Sequence, residues 1–272
     1  MCGRFVASRP VEEIARLLDV DEVAVAEEYL RPRWNVAPQA LVRCLTVRPE
    51  DPARRRLSVF RWGLVPSWAR DPSIGSRAFN ARSETLTERP MFRSAVARRR
   101  CVVPADAFYE WARPAERPPE PLGDPGSAAV RRGRAPRKVP YCFKDPDGGL
   151  LLLAGLYEQW RPPKVRADDD GPELHSATAG FMGEPGEGRL DTFTILTTAA
   201  NEVVGAVHDR MPVLISPGDL AVWLAPGPLE PGELAVLTRP APNSALEGYR
   251  VSAAVNNARA DGPQLVVPTE HP

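Results

Sequence analysis

Apolar and polar positions alternate over short stretches along most of the chain, a period of two that predicts β-strands rather than long helices. Strands are expected over residues 4–7, 41–47, 57–62, 100–103, 107–111, 139–144, 150–160 and 191–198, with later ones near 249–252 and 264–267. Helical spacing is confined to a few windows. Residues 10–20 place Val11, Ile14, Leu17 and Leu18 on one face, with a proline near the first turn. Shorter helices are expected at 91–98, 201–206, 217–224 and 231–237.

The breaks between these windows set the connections. Arg33-Trp34-Asn35-Val36-Ala37-Pro38-Gln39 reads as an irregular segment, because Asn and Pro favour turns that present side chains. Residues 51–56 read as a turn with exposed charge, and Pro104-Ala105-Asp106 as a turn between two strands. Asp145-Pro146-Asp147-Gly148-Gly149 predicts a hairpin joining 139–144 to 150–160. Residues 113–138 and 161–189 are rich in Pro, Gly and charge, which predicts flexible surface insertions. There is no internal repeat, and the strands do not alternate with helices. The expected fold is α+β: one domain over residues 2–268, mostly antiparallel sheet with peripheral helices.

Composition removes several function classes. The 272 residues are 43% hydrophobic and 26% charged, ordinary for a soluble globular protein. No apolar run is long enough to span a bilayer, and the N-terminus lacks the basic-then-apolar layout of a secretory signal. The expected setting is therefore the cytoplasm, away from membranes. Cys2, Cys44, Cys101 and Cys142 form no C-x-x-C pair, which predicts neither a zinc site nor a disulfide framework. No phosphate-binding glycine loop and no Gly-x-Ser-x-Gly elbow occurs, so no metal and no cofactor are expected. The formal net charge is zero, giving no global pull toward nucleic acid. Only three of the 35 basic residues are lysine. Codon usage in a GC-rich genome gives such a bias, and so does phosphate contact by a chosen few arginine forks. A monomer is the default expectation.

The chemistry-bearing residues are few. A small residue at position 2 permits removal of Met1, which would leave Cys2 with an α-amine and a thiol on adjacent carbons. With pKa values of about 7.7–8.0 and about 8.5, both are partly deprotonated near neutrality. Together they condense with an aldehyde to an imine and then to a thiazolidine ring. Among His175, His208 and His271, only His208 sits between apolar segments, beside Asp209 and Arg210. It reads equally as a structural histidine at a helix end and as a proton shuttle. Glu110 lies in Ala107-Phe108-Tyr109-Glu110-Trp111. It either faces solvent opposite a buried Tyr109 or sits in an apolar pocket that raises its pKa. Asn80 and Arg82, two apart, project to one face if that stretch is extended; a turn asparagine beside a paired arginine is the alternative. Trp68, in a Pro/Ser loop, caps the core or stacks on an unpaired base.

In order along the chain, eight short stretches resemble the SRAP family (SOS response-associated peptidase, the abasic-site processing proteins). They are Met1-Cys2-Gly3-Arg4-Phe5, Trp34-Asn35-Val36-Ala37-Pro38, Arg61-Trp62-Gly63-Leu64-Val65-Pro66, Asn80-Ala81-Arg82-Ser83-Glu84-Thr85, Arg100-Cys101-Val102-Val103-Pro104, Phe108-Tyr109-Glu110-Trp111, Leu196-Thr197-Thr198-Ala199-Ala200 and His208-Asp209-Arg210-Met211-Pro212. The resemblance runs from Cys2 to Val255-Asn256 and implies a barrel-like core. It also implies recognition of abasic sites in single-stranded DNA and a covalent thiazolidine crosslink through Cys2, shielding the lesion during the DNA damage response, with AP-lyase and crosslink-reversal activity. By the same resemblance Asn80 positions the amino terminus and the sugar, Glu110 handles protons, and His208 exchanges a proton with the sugar hydroxyl. Arg4, Arg82 and Arg210 match DNA-contacting arginines. Asn35, Pro38 and Thr197 match groove-lining positions, and Trp68 a wedge against a base. Two features depart from the pattern. Trp68 is followed by Ala69-Arg70, where some relatives carry a second tryptophan, and the two insertions are long. Arg131, Arg132, Arg134 and Arg137 in the first insertion would add a weak, salt-sensitive DNA contact. The other functions compatible with these residues are a cysteine (auto)peptidase built on Cys2 and a non-catalytic reader of single-stranded or modified DNA.

Overall fold

The computed structural model describes residues 2–112, 138–163 and 188–269. In chain order its strands begin with β1 (Phe5–Ala7), β2 (Glu22–Ala24), β3 (Arg33–Val36), β4 (Leu41–Arg48), β5 (Asp51–Trp62) and β6 (Asn80–Arg82). They continue with β7 (Arg100–Ala105), β8 (Ala107–Ala112), β9 (Val139–Lys144), β10 (Leu151–Trp160), β11 (Leu190–Ala199), β12 (Arg210–Pro212) and β13 (Glu247–Arg250). The expected α+β architecture is present, in two sheets. One is antiparallel, in the order β13-β9-β8-β1-β3. The other runs β12-β11-β10-β7-β4-β5-β2. A parallel contact of β5 with β11, Arg61↔Thr192 and Trp62↔Phe193, closes β4, β5, β11, β10 and β7 of that sheet into a barrel-like ring.

The ring follows from which faces are apolar. Nine of the ten residues of β10 are buried, so this strand cannot sit at an edge and lies between β7 and β11. Alternate residues, among them Phe60, Trp62, Val103, Leu153, Tyr157, Phe193 and Ile195, share one buried cluster with Cys2 and Phe5. A second cluster, including Leu57, Val102 and Leu196, packs under helix α1 (Val11–Leu17) and the helix Leu220–Leu224.

Five expectations are corrected. Residues 33–36 form a strand, not an irregular segment. The turn preference of Asn35 is overridden by pairing with β1 and by amide bonds to the carbonyls of Val255, Asn257 and Ala260. Residues 51–56 belong to β5 instead of forming a separate turn. Their charges are tolerated because the ladder with β4 continues past a bulge while the side chains stay near solvent. Residues 104–106 are not the expected turn, since β7 runs through Pro104 to Ala105. The strands flanking 145–149 do not pair as a hairpin. β9 joins β8 in one sheet and β10 joins β7 in the other. Residues 263–266 form a 3₁₀ turn, not a strand, opened by Gly262 (φ 127°) and Pro263, with only Leu265 buried. The sequence pattern also missed β2 and β12, three residues each. The expected insertions fall, except for their edges, outside the described residues, as do His175 and His271.

Trp62 joins the ring to the N-terminus. Its ring lies 5.1 Å from that of Phe5, stacks on Phe193 at 6.2 Å and meets Phe79 edge-on at 6.1 Å. Its Nε1 donates to the Phe79 carbonyl oxygen at 2.8 Å, which holds the backbone just before Asn80. Phe5 is fully buried. Phe5→Ala is therefore expected to lower the unfolding free energy by about 3–5 kcal/mol, read from urea denaturation. A loss within about 0.5 kcal/mol would show that Phe5 is not a core anchor.

Candidate active site

β1 starts three residues after Cys2, so burial of Phe5 carries Cys2 into the end of the ring, where it is fully buried. Its carbonyl oxygen accepts a hydrogen bond from Asn80 Nδ2 at 2.8 Å. Asn80 is on β6, held parallel to β11 by the Ile195↔Asn80 pair. The other end of the same amide, Oδ1, is buried and has no hydrogen-bond partner among the described residues. An acceptor in that position suits an amine proton.

Glu110 lies on β8, opposite Tyr141 of β9, and is 3% exposed. The solvent-facing alternative does not hold, because both Tyr109 and Glu110 are buried. Burial pushes the Glu110 carboxyl up from 4.5 to about 7, with Lys138 pulling the other way. Burial also raises the Cys2 thiol well above its ordinary value, and the nearby Glu110 charge adds to that. The thiol is therefore protonated at neutral pH, and the carboxyl is poised between its two states.

His208 follows the helix Glu202–Gly205 and is partly buried. The backbone N–H of Arg210 donates to its Nδ1 at 3.0 Å, which in the neutral ring leaves the proton on Nε2. Asp209 Oδ1 is 3.0 Å from the same Nδ1, ready to accept when the ring is an imidazolium. Gly3, Arg4, Glu110 and His208 line one cavity of about 780 Å³ together with Trp111, Lys138 and the turn at Ala253–Asn257. Cys2 and Asn80 lie behind this lining, and the Cys2 thiol is linked to the cavity through its neighbour Gly3 and the charge of Glu110.

The remaining residues singled out from the sequence take varied positions. Arg4 donates to Asn35 Oδ1 at 2.7 Å and to the Val255 carbonyl at 2.9 Å, with its guanidinium 5.8 Å from the Trp111 ring. Asn35 is buried beneath it, and its amide ties the C-terminal turn to β3. Arg210 grips Glu84 with two nitrogens at 2.5 and 2.9 Å and donates to the Thr197 carbonyl at 2.6 Å. Thr197 is buried. Arg82 is exposed at the end of β6 and forms no ion pair among the described residues. Pro38 is half-buried in the β3–β4 turn, beside Gln39 at φ 74°. Trp68 is 59% exposed, and neither it nor Pro38 lines the cavity. Trp111, whose Nε1 donates to Asn256 Oδ1 at 2.6 Å, and Lys138 were missed as site residues. Their one sequence signal was adjacency: Trp111 follows Glu110, and Asn256 ends the stretch of family resemblance.

The fold and the site together define a class: an α+β domain whose second residue is a buried cysteine held by an amide and coupled to a carboxyl that lines a cavity with an imidazole. The family model described as SOS response associated peptidase (SRAP) matches residues 1–258, and the chain belongs to that family. Among curated relatives it is 35% identical over 266 residues to abasic site processing protein YoqW of Bacillus subtilis, covering 98% of this chain and 99% of that one. It is 30% identical over 289 residues to abasic site processing protein HMCES of Xenopus tropicalis, covering 98% of this chain and 78% of that one. A crystal structure of a Bacteroides thetaiotaomicron protein shares the fold with a TM-score of 0.75 at 21% identity, covering 99% of this chain and 100% of that one.

A carboxyl with a raised pKa binds its proton more tightly folded than unfolded. Its contribution to stability is fully present below pH 4.5 and is lost as the pH rises through about 7. Glu110→Gln abolishes that loss. The variant's melting temperature is expected to gain on wild type between pH 5 and pH 8, by the equivalent of about 3 kcal/mol at most. A pH-independent difference would mean that Glu110 does not titrate there.

Proposed function

We propose that the chain processes abasic sites in single-stranded DNA by forming a thiazolidine between Cys2, freed of Met1, and the aldehyde of the ring-opened sugar. One observation carries this reading: a buried Cys2 bonded to Asn80 and electrostatically coupled to Glu110, beside a cavity that Glu110 and His208 line, in a family whose curated relatives are named abasic site processing proteins.

The chemistry balances without a redox partner. The Cys2 α-amine attacks the C1′ aldehyde and the carbinolamine loses water to give an imine. The thiol then gives its proton to the carboxylate and its sulfur adds to the carbon of the N-protonated imine, which leaves a neutral ring N–H and closes the ring. A carboxyl near pH 7 both donates the proton that water needs to leave and recovers one from the thiol. Asn80 Oδ1 accepts from the amine and keeps it aimed, and His208 exchanges a proton with the sugar hydroxyl. Elimination from the unclosed imine would give lyase activity. Arg4, Arg82 and Arg210, with Pro38 and Trp68, form the track for the strand, the buried Asn35 and Thr197 holding Arg4 and Arg210 from behind, and capture before covalent closure is salt-sensitive.

Incubating the mature protein with single-stranded DNA carrying one abasic site is expected to give a heat-stable, SDS-resistant band. Cys2→Ala gives none, Cys2→Ser gives only a labile imine trapped by borohydride, and an extra residue ahead of Cys2 blocks the reaction. Glu110→Gln slows the reaction by about 100-fold or more. An equally stable band from Cys2→Ala would refute the proposal.

A further inference from the structure

The ring of strands has two ends. Cys2 and Trp62 occupy one, and the other opens into a cavity of about 520 Å³ that the proposed chemistry does not use. Along β5, Ser58 lines this second mouth, while Trp62 belongs to the first end. The innermost lining residue on β5, Phe60, is two residues of strand, about 7 Å, from Trp62. The other ring strands agree. Thr46 of β4, Tyr157 of β10 and Asp191 of β11 line the mouth, and Leu41, Leu151 and Thr197 lie toward the opposite end of the same strands.

Three features give this mouth the character of a ligand site. Its size falls in the range of small-molecule pockets, which often occupy barrel mouths. Its wall carries Tyr157, 9% exposed, whose hydroxyl has no hydrogen-bond partner among the described residues, while its ring packs edge-on against Phe60 at 5.4 Å. The hydroxyl is not enclosed by the protein, and it is free to donate to a molecule in the cavity. Finally, five arginines (Arg48, Arg56, Arg98, Arg99 and Arg189) face two carboxylates, Glu50 and Asp191, in the lining. Arg189 pairs with Asp191 and Arg99 with Glu158, and one carboxylate, Glu22, serves both Arg48 and Arg56. Arg98 is exposed and has no ion pair among the described residues. Guanidinium forks around a hydroxyl donor are the chemistry that recognises a phosphate.

We propose that this mouth is a second binding site, separate from the Cys2 cavity, for a phosphate monoester of about mononucleotide size. Its phosphate lies among Arg56, Arg98 and Arg99 and accepts a hydrogen bond from the Tyr157 hydroxyl, and its ring packs on the Tyr157–Phe60 surface. The site takes a small ligand rather than a threaded strand, because it is a pocket at the end of a closed ring.

The test is calorimetric titration of the full chain with dAMP, inorganic phosphate, deoxyadenosine and an oligothymidylate lacking abasic sites. Saturable dAMP binding is expected with a Kd below about 1 mM, competed by phosphate, while deoxyadenosine does not bind. Tyr157→Phe and Arg98→Ala each weaken dAMP about tenfold, as for loss of a hydrogen bond to a charged group. Tyr157→Phe retains crosslinking to abasic DNA, which shows that the fold and the Cys2 cavity are intact. Three results would each overturn the proposal: no saturation up to about 10 mM dAMP, binding indifferent to both substitutions, or a mouth that takes the oligonucleotide but not dAMP.

Discussion

The contact between Phe5 and Trp62 is the constraint on which the site depends. An N-terminus is ordinarily frayed and solvated. Here the fifth residue is fully buried against a tryptophan that is itself packed on Phe193 and bonded to the Phe79 backbone. That places Cys2 at a defined point at the end of the strand ring, and the Trp62–Phe79 bond places Asn80 beside it. The hydrophobic effect supplies the affinity of the terminus for the ring, and two hydrogen bonds supply its orientation.

Burial then acts on the chemistry. The surroundings that hold Cys2 also desolvate Glu110, so that near neutrality the thiol keeps its proton and the carboxyl is divided between its two states. A carboxyl shifted to about 7 is less favourable for folding at neutral pH than an ordinary glutamate, and it is better matched to moving protons there. This trade is the expected signature of a working site: a local loss of stability maintained by the rest of the core. Arg4 and Asn35 extend the same logic outward. By binding the carbonyls of Val255, Asn257 and Ala260 they dock the C-terminal turn that walls the cavity.

Much of this was legible in the sequence, and the failures have physical causes. The long strands and the α+β class were readable because their apolar periodicity is strong. Cys2, Asn80, Glu110 and His208 were readable as candidates only together, because each alone had an ordinary structural reading and family order joined them. What local pattern could not show was pairing. The strands flanking 145–149 looked like a hairpin, yet β9 has one buried face and β10 nearly two, so they belong to different sheets. Asn35 looked like a turn former because local preference says nothing about the three distant carbonyls its amide serves. β2 and β12 are too short to show any period. Trp111 and Lys138 reach the cavity only through the tertiary fold, and the second mouth of the ring exists only once β5 meets β11.

The central claim is that the bond to an abasic site uses the amine and the thiol of Cys2 together. The most direct measurement is the mass of the N-terminal proteolytic peptide released from the crosslinked, nuclease-digested complex. The account predicts a peptide beginning at Cys2, heavier by the abasic nucleotide less one water, carrying no thiol that iodoacetamide can alkylate, and unchanged by borohydride. A peptide that retains Met1, keeps an alkylatable Cys2 thiol, or carries the nucleotide on another residue would contradict it.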